Sequence, residues 1–123
     1  MVPPGPVAIL GPGLIGGSLG LALQHRHPGV EIRAWARRDE ALDGVRKLGF
    51  AAFAGTDLAA VVHGASMVVL CTPVETMPDL CAVLREALAP EATVTDAGSV
   101  KAGVVAACEA VLGGRFIGAH PIA

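Results

Sequence analysis

The stretch Gly11-Pro12-Gly13-Leu14-Ile15-Gly16-Gly17-Ser18-Leu19-Gly20 constrains the fold of this chain more than any other. It follows a short apolar run, Val7-Ala8-Ile9-Leu10, and opens a long apolar segment that predicts a helix to about Leu23. A strand, a glycine turn and a helix in that order begin a strand–helix–strand unit. Gly11, Gly13 and Gly16 fit the spacing G-x-G-x-x-G in that context, and each glycine has a physical task. Gly11 allows the tight turn, Gly13 lets the backbone approach a pyrophosphate, and Gly16 lets helix and strand pack closely. The start of the helix, with Leu14 and Ile15 in its first turn, offers unpaired N–H groups and a positive dipole end to that pyrophosphate. An ordinary glycine-rich turn is the plain alternative, and the intact flanks favour the dinucleotide.

The rest of the chain repeats the alternation. Pro28-Gly29 makes a turn and Val30 to Trp35 reads as a second strand. Asp39 is placed to cap a helix running to about Leu48, which Gly49 ends. Ala51-Ala52-Phe53 reads as a short third strand, and Asp57 starts a brief helix over Leu58 to His63, closed by Gly64. Met67 to Cys71 is an uninterrupted apolar run, as expected of a central parallel strand buried on both faces. Thr72-Pro73 breaks it, and Thr76 to Leu88 has the pattern of an amphipathic helix. A fifth strand, Thr93 to Asp96, a helix from about Val100 to Leu112, and a sixth strand, Arg115 to Gly118, complete the pattern. Six strands alternating with helices predict an α/β, doubly wound parallel sheet of Rossmann type, in the order 3-2-1-4-5-6.

At 123 residues the chain suits one such domain, residues 1–123. It is 53% hydrophobic and 16% charged, the profile of a sheet packed between helices. A net charge of −2 argues against nucleic acid or an anionic membrane surface as partner. Pro6 to Gln24 carries no charge, but Pro12 and five glycines interrupt it, so a membrane span is not expected. Cys71, Cys81 and Cys108 share no C-x-x-C spacing, which argues against a disulfide framework or a metal knuckle. Reduced thiols in a cytoplasmic protein are the expectation, with no metal.

In the NAD version of the glycine motif, an acid at the end of the second strand binds the ribose hydroxyls, roughly 20 residues beyond the glycines. Here that tip reads Trp35-Ala36-Arg37-Arg38-Asp39, with Ala36 in the acid's place. Guanidinium groups at Arg37 and Arg38 suit the 2′-phosphate of NADP through charge and bidentate hydrogen bonds. NADP is therefore expected ahead of NAD. Two alternatives stay open: a solvated loop with ordinary surface charges, and Asp39 reaching the ribose instead.

Ligands of such sheets lie outside the carboxyl ends of the strands. Strand four ends in Cys71-Thr72-Pro73, strand five in Asp96-Ala97-Gly98-Ser99-Val100-Lys101, and strand six in Gly118-Ala119-His120-Pro121. The cofactor set expected at these ends is Cys71, Thr72, Pro73, Asp96 and Gly98. Ser99 and His120 bring a hydroxyl and an imidazole towards the nicotinamide end, and a dehydrogenase acting on an alcohol needs a base for the hydroxyl proton. Each has a plainer role available: Ser99 as a helix cap, His120 as packing against the sheet end.

Three motifs carry a family resemblance. They are Gly11 to Leu19, Thr95-Asp96-Ala97-Gly98-Ser99-Val100-Lys101, and Phe116-Ile117-Gly118-Ala119-His120-Pro121-Ile122-Ala123. Together they resemble the nucleotide domain of prephenate and arogenate dehydrogenases, over essentially the whole chain. The second and third motifs are much more specific than the glycine loop. The resemblance implies oxidative decarboxylation of a cyclohexadienol, prephenate or arogenate, in tyrosine biosynthesis, with Ser99 and His120 contacting the ring hydroxyl. It also supports the arginine reading, because family members lacking the acid after strand two tend to use NADP.

The family also has a helical C-terminal domain that supplies dimerisation and the arginines gripping the substrate carboxylates. It is absent from these residues, so a truncated chain that binds nucleotide without useful turnover is expected, and a homodimer for the full-length protein. Two other classes remain: a different Rossmann oxidoreductase, such as a β-hydroxyacid dehydrogenase, and a non-enzymatic nucleotide sensor. The sensor has no use for Ser99 and His120 together.

Overall fold

The structure, a computed structural model, describes residues 5–11, 13–97 and 102–117. Its strands are β1 (Val7–Leu10), β2 (Ile32–Trp35), β3 (Phe53–Gly55), β4 (Met67–Leu70), β5 (Thr93–Asp96) and β6 (Phe116–Ile117). Between them lie α1 (Gly13–Arg26), α2 (Asp43–Leu48), α3 (Leu58–Val62), α4 (Met77–Ala87) and α5 (Ala102–Leu112). The strands form one sheet in the order β3-β2-β1-β4-β5-β6, and every pairing is parallel. The expected doubly wound sheet is present.

β1 sits at the centre, and all four of its side chains are fully buried. Successive residues supply opposite faces, as the period of a strand requires. Ala8 and Leu10 join a core with Val61, Val68, Leu70, Met77, Leu84 and Val94 under α3, α4 and α5. Ile9 joins Ile32, Ala34, Leu42, Val45 and Phe50 under α1 and α2. Cys81 and Cys108 are buried in the first core and unbridged. None of the described helices is long and apolar enough to cross a membrane.

Several element ends differ from the sequence expectation, each for a local reason. α1 runs on to Arg26, with His25 and Arg26 in its last turn, where cations suit the helix dipole. The second strand starts at Ile32, two residues later than Val30, whose N–H donates to His27 O at 3.0 Å in a turn. The third strand is Phe53–Gly55 because Ala34 and Trp35 of β2 pair with Ala54 and Gly55. Asp39 is not the cap of α2: it begins a 3₁₀ turn, Asp39–Leu42, and Leu42, the residue at the cap position of α2, makes no side-chain cap. Gly49 does end α2, with a left-handed φ of 75°. Asp57 does cap α3, its carboxylate accepting from Ala60 N at 3.3 Å.

Candidate functional site

The carboxyl ends of the central strands are stitched together by backbone hydrogen bonds. Gly11 N donates to Trp35 O at 2.7 Å, Cys71 N to Leu10 O at 2.8 Å, and Ala97 N to Leu70 O at 3.0 Å. The glycine turn is therefore fixed between the tips of β2 and β4. Gly11 holds a φ of 72°, and a Cβ there would overlap the Thr72 Cγ2 methyl. It would also stand 3.2 Å from Thr72 Cα and 3.3 Å from its backbone N. The first glycine of the motif thus does two jobs, the left-handed turn and the close approach of a neighbouring strand end.

Gly13, the first residue of α1, has a φ of 40°, and a Cβ added to it meets nothing within 4 Å among the described residues. Open space in front of the helix start is what an incoming pyrophosphate needs. α1 carries no acid in its first turn, which suits an anion at that helix end. Gly16 is buried within the helix, while Ile15 is 57% exposed.

Beside the turn lies a cleft of about 300 Å³. Gly11, Ala36, Arg37, Thr72 and Pro73 line it together with Trp35, Thr76 and Leu80. Five residues expected from the sequence are brought to one wall; Trp35, Thr76 and Leu80 were not anticipated. The spacing of Thr76 and Leu80 is the signal that was available, since residues four apart share a helix face and follow directly on Thr72-Pro73. Trp35 is held by a hydrogen bond from its Nε1 to Thr56 O at 2.8 Å. Thr72 Oγ1 is buried and has no hydrogen-bond partner among the described residues. A buried hydroxyl of that kind is costly unless something satisfies it. The cleft thus offers apolar surface from Trp35, Ala36, Pro73 and Leu80 and, among the described residues, a single charged side chain, Arg37. That combination suits a flat apolar ring carrying a nearby anionic group, and with the open helix start it fits a dinucleotide.

A larger cleft, about 350 Å³, opens at the opposite edge, where Val30 to Ile32 and Phe50 to Ala52 lead into β2 and β3. Size favours that cleft, but parallel sheets of this kind bind ligands at their carboxyl ends, where the glycine turn lies. The smaller cleft is the candidate site.

Other expected residues lie apart from the cleft walls. Arg38 is exposed beside Arg37, and neither forms an ion pair among the described residues. Cys71 is half-buried against the Ile9 core. Burial, and then the charge of Asp96, push its thiol up to about 11, so it stays protonated and unreactive at neutral pH. Asp96 is 1% exposed at the tip of β5. Asp39, the alternative ribose contact, is held by Arg46 in a two-point fork. Gly98, Ser99 and His120 lie outside the described residues. Their neighbours are informative: β5 ends at Asp96, three residues before Ser99, and β6 ends at Ile117, three before His120. Those strands are adjacent and parallel.

The family model for the nucleotide-binding domain of prephenate dehydrogenase matches residues 19–123. The chain belongs to that family. As a prephenate dehydrogenase nucleotide-binding domain, it is 36% identical to the prephenate dehydrogenase of Bacillus subtilis over 120 residues, 95% of this chain and 32% of the relative. The prephenate dehydrogenase of Aquifex aeolicus, solved with hydroxyphenyl propionate and NAD+, superposes with a TM-score of 0.86 at 35% identity. That match covers 96% of this chain and 42% of the other. The arogenate dehydrogenase of Synechocystis gives a TM-score of 0.84 at 31% identity, covering 94% and 40%. This domain spans 32–40% of the length of the curated relatives it matches. The family-model match begins at Leu19, while the Bacillus and Aquifex matches, over 95% and 96% of the chain, also take in the glycine turn.

Proposed function

We propose that this domain binds NADP in preference to NAD and serves the oxidative decarboxylation of prephenate or arogenate. The observation that carries the cofactor choice is the wall of the carboxyl-edge cleft. Ala36 stands where a ribose-binding acid would be, and Arg37 beside it is the one charged residue among the described residues that line the cleft. Gly11, Gly13 and the first turn of α1 would hold the pyrophosphate, Arg37 and Arg38 the 2′-phosphate, and Thr72 and Pro73 the adjoining wall. When bound, the nicotinamide supplies a hydride acceptor.

In this reading His120 accepts the proton of the substrate's ring hydroxyl, and Ser99 orients both the hydroxyl and the imidazole. Loss of hydride from the hydroxyl carbon is coupled to loss of the ring carboxylate as carbon dioxide, and the ring becomes aromatic. The adjacent ends of β5 and β6 support placing the two residues together. Grip on the substrate's carboxylates, and dimerisation, are assigned to the helical domain that the family resemblance implies. Buried free thiols at Cys81 and Cys108 suit a cytoplasmic setting.

Calorimetric titration of the purified chain with both nucleotides tests the cofactor choice. NADP is expected to bind at least tenfold tighter, the worth of one charge-assisted hydrogen bond or more. Tighter binding of NAD overturns the assignment. For the chemistry, His120→Asn in a protein that also carries the substrate-binding region should cut kcat severely and leave nucleotide affinity unchanged. Retained turnover removes His120 from the reaction.

A further inference from the structure

Asp39 and Arg46 form the most highly connected ion pair among the described residues, joining the 3₁₀ turn after β2 to α2. Arg46 Nη2 donates to Asp39 Oδ1 at 2.7 Å and Nη1 to Oδ2 at 3.1 Å, the fork-on-fork geometry specific to arginine. The guanidinium is itself anchored: Nη1 reaches Asp39 O at 3.3 Å, Nη2 reaches Ala54 O at 3.4 Å, and Asp43 Oδ1 lies 3.6 Å from Nη1. One side chain from α2 thus ties the turn after β2 to strand β3. The hydrogen bonds from Arg46 hold the Asp39 carboxyl below its ordinary pKa, so it is fully charged at neutral pH.

Asp39 is two residues from Arg37, the charged residue of the cleft wall. A free carboxylate on this short turn would compete for the same ligand. It would repel a 2′-phosphate and partly neutralise Arg37, and it could accept hydrogen bonds from a ribose diol. We infer that Arg46 is a positioning residue for nucleotide choice: by holding both oxygens of Asp39, it keeps that carboxylate off the ligand and leaves Arg37 to a phosphate. The inference rests on the NADP reading above. Glu40, the next acid along, has no such fork among the described residues and lies one residue further from Arg37.

The test is the ratio of NAD to NADP dissociation constants for the 123-residue chain, its Arg46→Met and Asp39→Asn variants, and the double variant. A carboxylate released to about 5 Å from a nearly dianionic phosphate lowers the NADP preference about tenfold in water-like surroundings. Arg46→Met should therefore shift the ratio about tenfold towards NAD at low salt, with a smaller shift at high salt. Adding Asp39→Asn should return the ratio to that of the starting chain, because the carboxylate is gone. If Arg46→Met lowers Tm and weakens both nucleotides equally, or if Asp39→Asn fails to restore the ratio, the inference is overturned and Arg46 is a structural tie alone. The unsubstituted chain's own ratio judges the NADP reading separately. Should that chain prefer NAD, the reading fails, and the clamp is still decided by whether Arg46→Met moves the ratio further.

Discussion

Replacing Gly11 by alanine isolates the contact on which the site is built. Two costs are expected. The backbone φ of 72° is left-handed, and holding an L-residue there costs about 1 kcal/mol. The new Cβ would also overlap the Thr72 methyl, with the Thr72 backbone 3.2–3.3 Å away. Neither strand end can retreat freely, because Gly11 N is bonded to Trp35 O and Cys71 N to Leu10 O. Overpacking of a fixed site costs roughly 1–3 kcal/mol, so the total is about 3 kcal/mol. For a chain of this length that is a fall in Tm of roughly 10 °C. Thr72→Ser deletes the overlapping methyl, so it should recover about 1–2 kcal/mol of the penalty in the double variant and leave the φ term. Urea and thermal unfolding of the four proteins give the coupling energy. Strictly additive variants would refute the steric argument, and an unaffected Gly11→Ala would refute the conformational one.

Gly20→Ala tests the opposite intuition. In an exposed helix interior alanine gains about 1 kcal/mol over glycine. Here its Cβ would overlap the Phe50 ring, with Cδ1 and Cζ at 2.5 Å, so a net loss of stability is expected, reversed when Phe50 is replaced by leucine. Asp57→Ala removes the cap of α3 and should cost about 1 kcal/mol in urea unfolding, with Asp57→Asn largely retaining it. Burial raises all three thiols in the folded state, Cys71 to about 11, so the fold holds protons that the unfolded chain releases first. Stability should be constant below the ordinary thiol range and fall as pH rises through it towards 11. Thiol reagents at pH 8 should label the folded chain slowly and the unfolded chain at all three cysteines.

The strand order was legible because β1 and β4 are short, wholly apolar runs, the other strands alternate with helical segments, and parallel crossovers leave few arrangements. Gly11's role was legible too, but not its contact with Thr72, which depends on strands paired across some sixty residues of sequence. Gly20 meeting Phe50 was hidden for the same reason: nothing local distinguishes it from the other glycines of α1. The Asp39 expectation failed on competition. An aspartate before a helix is a good cap, but a fork of arginine donors is a stronger partner, and Arg46 comes into reach only once α2 is wound. Trp35 read as a strand residue because strand periodicity does not say which buried side chain will border a cleft. Ser99 and His120 were singled out by their place after strand ends and by family motif, a chemical signal rather than a packing one.

The central place of β1 also sets a schedule for folding. One of its edges pairs with β2 soon after it is made, while the other pairs with β4, register Val7 to Met67 through Leu10 to Leu70. At ribosomal rates of about 5–20 residues per second, that second edge waits on the order of 3–12 s for its partner. Throughout that interval a fully apolar strand presents open backbone donors and acceptors, the template on which chains mispair. The strand that leads into the glycine turn is therefore also the nascent chain's weakest moment, and synthesis rate across residues 11–70 should govern the yield of soluble protein.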